Sequence, residues 1–163
     1  MSERALKLQT MLLQSRTLRE EYAKDTALFC ESRGLGRLPN LDIEELGRQG
    51  DALIAKRYHE LGKLAPMTLR SLGPRSADCF AAFAEQSWPT GVRRHLDDAC
   101  EFSDYLRSIG LRVNAVESSL LAFRRRSKRI ALAIPAMLSV QVMWRTSKRV
   151  RCRLFRIGRA DWR

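Results

Sequence analysis

The last forty residues have almost no negative charge. Asp161 is the single acid between 124 and 163, against 13 lysines and arginines, whereas residues 1–123 carry 17 charges of each sign. The formal net charge of +12 therefore belongs entirely to the C-terminal quarter. Histidine is scarce too, with only His59 and His95. The four cysteines, Cys30, Cys79, Cys100 and Cys152, are scattered and form no Cys-x-x-Cys pair. A zinc site needs paired ligands at short spacing, so no metal site is expected on this chain. No run of about 18 apolar residues occurs, which argues against a membrane-spanning helix. The start, Met1-Ser2-Glu3-Arg4, lacks the charged-then-apolar order of a signal peptide. The expected location is cytoplasmic, with the thiols reduced. Nucleophile-elbow, His-Glu-x-x-His, P-loop and Gly-x-Gly-x-x-Gly patterns are all missing, so stand-alone catalysis has no residue set behind it.

What the chain does contain is 163 residues that are 45% hydrophobic, enough for one cored domain or one domain with an appendage. Over residues 3–32 the apolar positions Leu6, Leu8, Leu12, Leu13, Leu18, Tyr22, Ala27 and Phe29 recur at helical spacing and predict one long helix. Gly34, Gly36 and Pro39 end it. Gly34-Leu35-Gly36 is read as a helix end rather than a phosphate loop, because the lysine and flanking strand of such a loop are missing. Asn40 can cap a second helix running toward Leu61, with Asp42, Glu44 and Glu45 in its first turn and Gly50 as a candidate break. Pro66 and Leu72-Gly73-Pro74 bracket a short helix. Another starts at Ser76 or Asp78, and Trp88-Pro89-Thr90-Gly91 is a turn. A helix over Val92–Ile109 and one opened by the capping-box pattern Asn114-x-x-Glu117 follow, the latter ending in Arg124-Arg125-Arg126.

Beyond Phe123 the period changes from helix to strand. Ile130, Leu132 and Ile134 alternate with alanines up to Pro135. Val140, Val142 and Trp144 alternate with Ser139, Gln141, Met143 and Arg145. After the turn Thr146-Ser147-Lys148, Val150, Cys152 and Leu154 alternate with Arg149, Arg151 and Arg153. The pattern predicts a three-stranded antiparallel sheet with these apolar residues on one buried face and the arginines outward. The fold class is α+β: a helical body over 1–126 and a basic sheet over 127–163.

Several constellations have an ordinary reading beside a functional one. His95 and Asp98 stand at i,i+3; a surface ion pair is preferred over a catalytic one. Asp97, Glu101 and Asp104 form an acidic stripe, read as a solvated face. Outward arginines can simply protect a sheet edge, but 13 basic residues in forty exceed that need. Two functions remain for the basic face. It can follow nucleic-acid phosphates, with Trp144 or Phe155 stacking on bases, or it can accept an acidic or extended peptide as an added strand. No helix-turn-helix or RNP-type motif supports the former, and peptide binding is preferred.

One stretch bears a family resemblance. Arg57-Tyr58, Leu72-Gly73, Phe80-x-x-Phe83-Ala84, Trp88-Pro89-x-Gly91 and His95-Leu96-x-Asp98-Ala99-Cys100-x-Phe102-x-x-Tyr105-Leu106 resemble the helical partner proteins encoded beside multinuclear non-haem iron oxidative enzymes. The helical body with a basic β-end is most similar to the methanobactin-biosynthesis partner proteins. Arg57 and Tyr58 are adjacent here, where the family pattern is more widely spaced. The resemblance implies a non-catalytic subunit that forms a heterodimer with the iron enzyme. It implies no cofactor on this chain and iron in the partner. Such a subunit binds the leader of a ribosomally made precursor peptide through its C-terminal sheet. The enzyme then converts cysteine to an oxazolone and thioamide in a copper-chelating product. On that footing the peptide is expected at Arg145, Arg149, Arg151, Arg153 and Phe155, and the partner enzyme at Arg124, Arg125, Arg126, Trp88 and His95.

Overall fold

The computed structural model describes residues 3–35, 41–126, 130–136, 139–145 and 149–156, with 130–136, 139, 155 and 156 described through their backbone alone. Its helices are α1 (Glu3–Gln14), α2 (Arg16–Lys24), α3 (Thr26–Ser32), α4 (Ile43–Leu64), α5 (Pro66–Leu72), α6 (Ser76–Ala84), α7 (Arg94–Ser108) and α8 (Ala115–Arg125). The strands β1 (Ile130–Ala136), β2 (Ser139–Arg145) and β3 (Val150–Arg156) form one antiparallel sheet in the order β1-β2-β3. The fold class is thus α+β, mostly helical with a small C-terminal sheet. Among the described residues no helix is long and apolar enough to cross a membrane. The expected cap Asn40, together with Gly36, Pro39 and the turn Thr146-Ser147-Lys148, lies outside the described residues.

The chain does not divide at residue 126. One compact unit comprises 1–59 and 77–88, and the other 60–76 and 89–163, so the sheet shares a unit with α7 and α8.

In the first unit, the single helix expected over 3–32 is three. Ser15 caps α2, its hydroxyl accepting from Leu18 N, and Asp25 caps α3, accepting from Leu28 N. A capping side chain offers the backbone an alternative to continuing the helix, which breaks the chain while its apolar face carries on. The carboxylate of Glu85 reinforces the first break, accepting from Ser15 Oγ at 2.7 Å and Arg16 N at 2.9 Å. Folded back this way, α1–α3 bury Leu8, Leu12, Tyr22, Phe29 and Cys30 with Leu35 and Leu46. Tyr22 meets Phe29 edge-on at 5.5 Å. Each such side chain fully buried contributes about 1.5–3 kcal/mol.

Helix α4 is not broken at Gly50. The glycine is there for a close approach: a Cβ would stand 2.6 Å from Arg19 Nη1 and 2.9 Å from Leu13 O. Arg19 itself is buried, donating to Leu12 O at 2.9 Å and reaching Asp51 at 3.4 Å.

In the second unit, the Asn114 cap forms as expected, its Oδ1 accepting from Glu117 N at 3.0 Å. The Glu117 carboxylate reaches to the start of α5, where it accepts from Met67 N, Thr68 N and Thr68 Oγ1 at 2.6–2.7 Å. Pro66 opens α5 and Ala65 offers it no side-chain cap, so Glu117 satisfies donors that local sequence leaves bare. Strand β1 runs past Pro135 to Ala136, with its pairing interrupted between Ala133 and Ala136. A proline, lacking an N–H, is tolerated at such an irregularity on an edge strand.

Gly50→Ala should destabilise the protein by about 1–3 kcal/mol despite alanine's better helix propensity, because backbone and a buried guanidinium stand where its methyl must go. Gly62→Ala, whose Cβ meets only Leu69 Cδ1 at 3.8 Å, should be neutral or stabilising by up to about 1 kcal/mol. Urea titrations of the two variants check the contrast.

Candidate binding surface

The sheet's two faces are set by register. Trp144 pairs with Arg151, Met143 with Cys152, Val142 with Arg153 and Gln141 with Leu154. Directly opposed residues share a face. Trp144 and Val142 therefore lie beside Arg151 and Arg153, and Cys152 and Leu154 lie beside Met143 and Gln141. The single buried face expected for Val140, Val142, Trp144, Cys152 and Leu154 does not form. The cause is the connection: four residues separate Arg145 from Val150, and an even-numbered loop pairs even positions with odd ones. Gln141 and Met143 are the buried residues of β2, at 0% and 2% exposure, whereas Val140, Val142 and Trp144 are half-buried. Gln141 Nε2 donates to Val116 O in α8 at 3.1 Å and to Cys152 Sγ at 3.1 Å. This amide fixes the β2 row under the helix.

Besides α7, helix α8 packs against β1 and β2 of the sheet rather than β3. Arg151, Cys152, Arg153 and Leu154 are all exposed. Neither Arg151 nor Arg153 has an ion pair among the described residues. As the last strand in the order, β3 pairs only with β2 among the described residues.

The expected peptide-binding set divides on this surface. Arg151 and Arg153 stand on the open face as anticipated, and Arg149 is exposed just before β3. Phe155 is described by its backbone, which pairs with Val140. Arg145 does not stand free on the outward face as expected. Its Nη2 donates to Arg124 O and Arg126 O, both at 3.1 Å, and its guanidinium lies 5.9 Å from the Phe123 ring centroid. It closes the C-terminus of α8, where carbonyls lack helical partners and a cation suits the dipole.

The expected docking set is likewise differentiated. Arg125 pairs with Asp97 at 3.0 Å and reaches Glu101 at 4.0 Å, so part of the acidic stripe of α7 is engaged by α8 rather than solvated. Arg124 is half-buried and Arg126 exposed. Arg125 and Arg126 line a cleft of about 310 Å³ between α7 and α8, together with Asp104, Arg107, Ser118 and Cys100. Burial pushes the Cys100 thiol above its ordinary range; Arg125 opposes the shift, and Asp97, Asp104 and Glu101 add to it. His95, in the first turn of α7, is half-buried, and its Nδ1 has no hydrogen-bond partner among the described residues. Asp98 is buried at 2% exposure, not on the surface where the i,i+3 spacing put it. Trp88 belongs to the other unit, where the Arg57 guanidinium stands 5.0 Å from its ring centroid. No group of three or more metal-ligating side chains occurs among the described residues.

Sequence reasoning missed Trp144 as an open-face residue and Cys152 and Leu154 as exposed ones. The parity of the four-residue connection was the available signal.

Residues 36–108 match the family described as SCO6045-like, C-terminal domain. No curated protein and no solved structure matches the chain. The SCO6045-like match runs from before α4 to the end of α7. It contains the stretch Arg57–Leu106 and stops short of α8 and the sheet.

Two outcomes test this surface. Arg145→Leu, which orphans two helix-terminal carbonyls, should cost about 1–3 kcal/mol in a thermal or urea melt, while Arg151→Leu and Arg153→Leu should each change stability by less than about 0.5 kcal/mol. In the folded protein a neutral maleimide should label Cys152 well before Cys30 and Cys100, which are buried, as read by peptide mass mapping over time.

Proposed function

We propose that this chain is a non-catalytic, peptide-presenting subunit. It would add an extended peptide to the free edge of β3 and hold it for a partner enzyme. The observation that carries this reading is β3 itself: an edge strand with two exposed arginines that no acid of the described residues neutralises. Backbone pairing would supply affinity and the flanking side chains selectivity. The resemblance over Arg57–Leu106 supplies the partner: a multinuclear non-haem iron oxidative enzyme in a heterodimer. The peptide is then the leader of a ribosomally made precursor whose cysteine becomes an oxazolone and thioamide in methanobactin biosynthesis. Arg126 of the expected docking set is exposed, and the α7–α8 cleft beside it would offer that enzyme a surface.

A second reading has one observation in its favour. Half-buried Trp144 lies directly opposite Arg151 on an open face, an aromatic and a cation placed as in single-strand nucleic-acid binders.

The deciding experiment expresses the chain beside the genes adjoining its own, purifies it, and measures iron and nucleic acid in the eluate. An iron protein should co-purify. The Arg151→Glu/Arg153→Glu variant should bind the cognate precursor leader about tenfold more weakly with its helical content unchanged. Co-elution of nucleic acid alone, with affinity falling steeply as salt rises, would establish the second reading.

A further inference from the structure

We infer that the strand β3 accepts carries alternating acidic and apolar side chains. Acids would stand opposite Arg151 and Arg153, and apolar residues opposite Cys152 and Leu154. The inference rests on strand addition at β3, the reading above, and goes beyond it by assigning a chemistry to each side of the incoming chain.

The argument starts from sidedness. A residue added opposite a strand position shares that position's face, whether the new strand runs parallel or antiparallel. The two faces of β3 differ in kind. On the open face, Arg151 and Arg153 follow at alternate positions, about 7 Å apart along the strand. That is also the spacing of side chains two residues apart on an incoming strand. Across β2 their neighbours are Trp144 and Val142. On the helix-side face, Cys152 and Leu154 continue a row that is buried under α8 at Met143 and Gln141. The row runs out from beneath the helix, and Leu154 is left 48% exposed. Apolar side chains opposite Cys152 and Leu154 would lengthen this row by one strand and remove Leu154 from water. Acids opposite Leu154 would leave the leucine wet.

A nucleic-acid strand satisfies only half of this surface. Its phosphates could meet Arg151 and Arg153, but it has no apolar group at strand spacing for the other face. The combination of paired cations on one side and exposed aliphatic surface on the other points to a polypeptide of period two.

Two labelled hexapeptides of identical composition and charge test the assignment: Glu-Leu-Glu-Leu-Glu-Leu and Glu-Glu-Glu-Leu-Leu-Leu. Fluorescence anisotropy with the full chain should show the alternating peptide binding about tenfold tighter, as expected from a few cross-strand pairs. Leu154→Ser should narrow that ratio. Arg151→Glu/Arg153→Glu should transfer preference to Lys-Leu-Lys-Leu-Lys-Leu, with circular dichroism showing the fold retained. Equal or reversed affinities for the two isomers would overturn the alternation while leaving peptide binding in place. No binding of either isomer by the folded chain would overturn strand addition itself.

Discussion

A strand residue has only two faces to choose between, and the pairing of Val142 with Arg153 makes that choice for the whole C-terminal sheet. Everything characteristic of this region follows from it. Gln141 and Met143 go under α8, Trp144 comes out beside the arginines, and Cys152 and Leu154 are left at the rim of the covered row. Because the side-chain period is two, slipping the register by one residue would exchange the faces completely. An arginine would then be carried to the side that α8 covers. The buried amide of Gln141, bonded to Val116 O and Cys152 Sγ, has partners in only one of the two arrangements. The register is therefore specified by a polar contact as well as by apolar burial.

Long side chains perform capping work throughout the molecule. Glu85 closes the start of α2, Glu117 the start of α5, and Arg145 the end of α8. Each sign matches the helix end it meets: carboxylates at N-termini, a guanidinium at a C-terminus. All three reach across the sequence. This is why several helices here can be short: their ends are satisfied by neighbours rather than by their own first residues. The same logic separates the basic residues of the C-terminal quarter. Arg145 is held against α8 and Arg125 against Asp97, whereas Arg151 and Arg153 stand exposed with no ion pair among the described residues.

The element order was largely legible in the sequence. Helical periodicity located α4 through α8 to within a few residues, and period-two alternation located all three strands. What escaped was decided between elements. The apolar stripe of residues 3–32 continues through Ser15 and Asp25, so periodicity alone reads one helix where capping makes three. The Asn-x-x-Glu pattern identifies Asn114 as a cap, but the other arm of its box, Glu117, finds its partners about 49 residues away. Local pattern carries no information at that range. The outward direction that alternation gives Arg151 and Arg153 agrees with their exposure. Arg145 instead reaches the end of α8, and nothing in a run of alternating residues distinguishes a guanidinium facing solvent from one folded onto a helix end. The face assignment failed for a different reason: alternation was read within each strand, while facing is a property of the pair.

The bond between Glu117 and Thr68 also has a temporal side. Helix α5 is seven residues long and lacks a cap of its own, and a helix so short has little stability in isolation. On the ribosome, residues 66–72 emerge well before the carboxylate that completes them. The nascent chain must therefore carry this segment uncapped until roughly fifty further residues have been added, the separation of the bonded pair. Ordering of α5 is thus coupled to the arrival of α8.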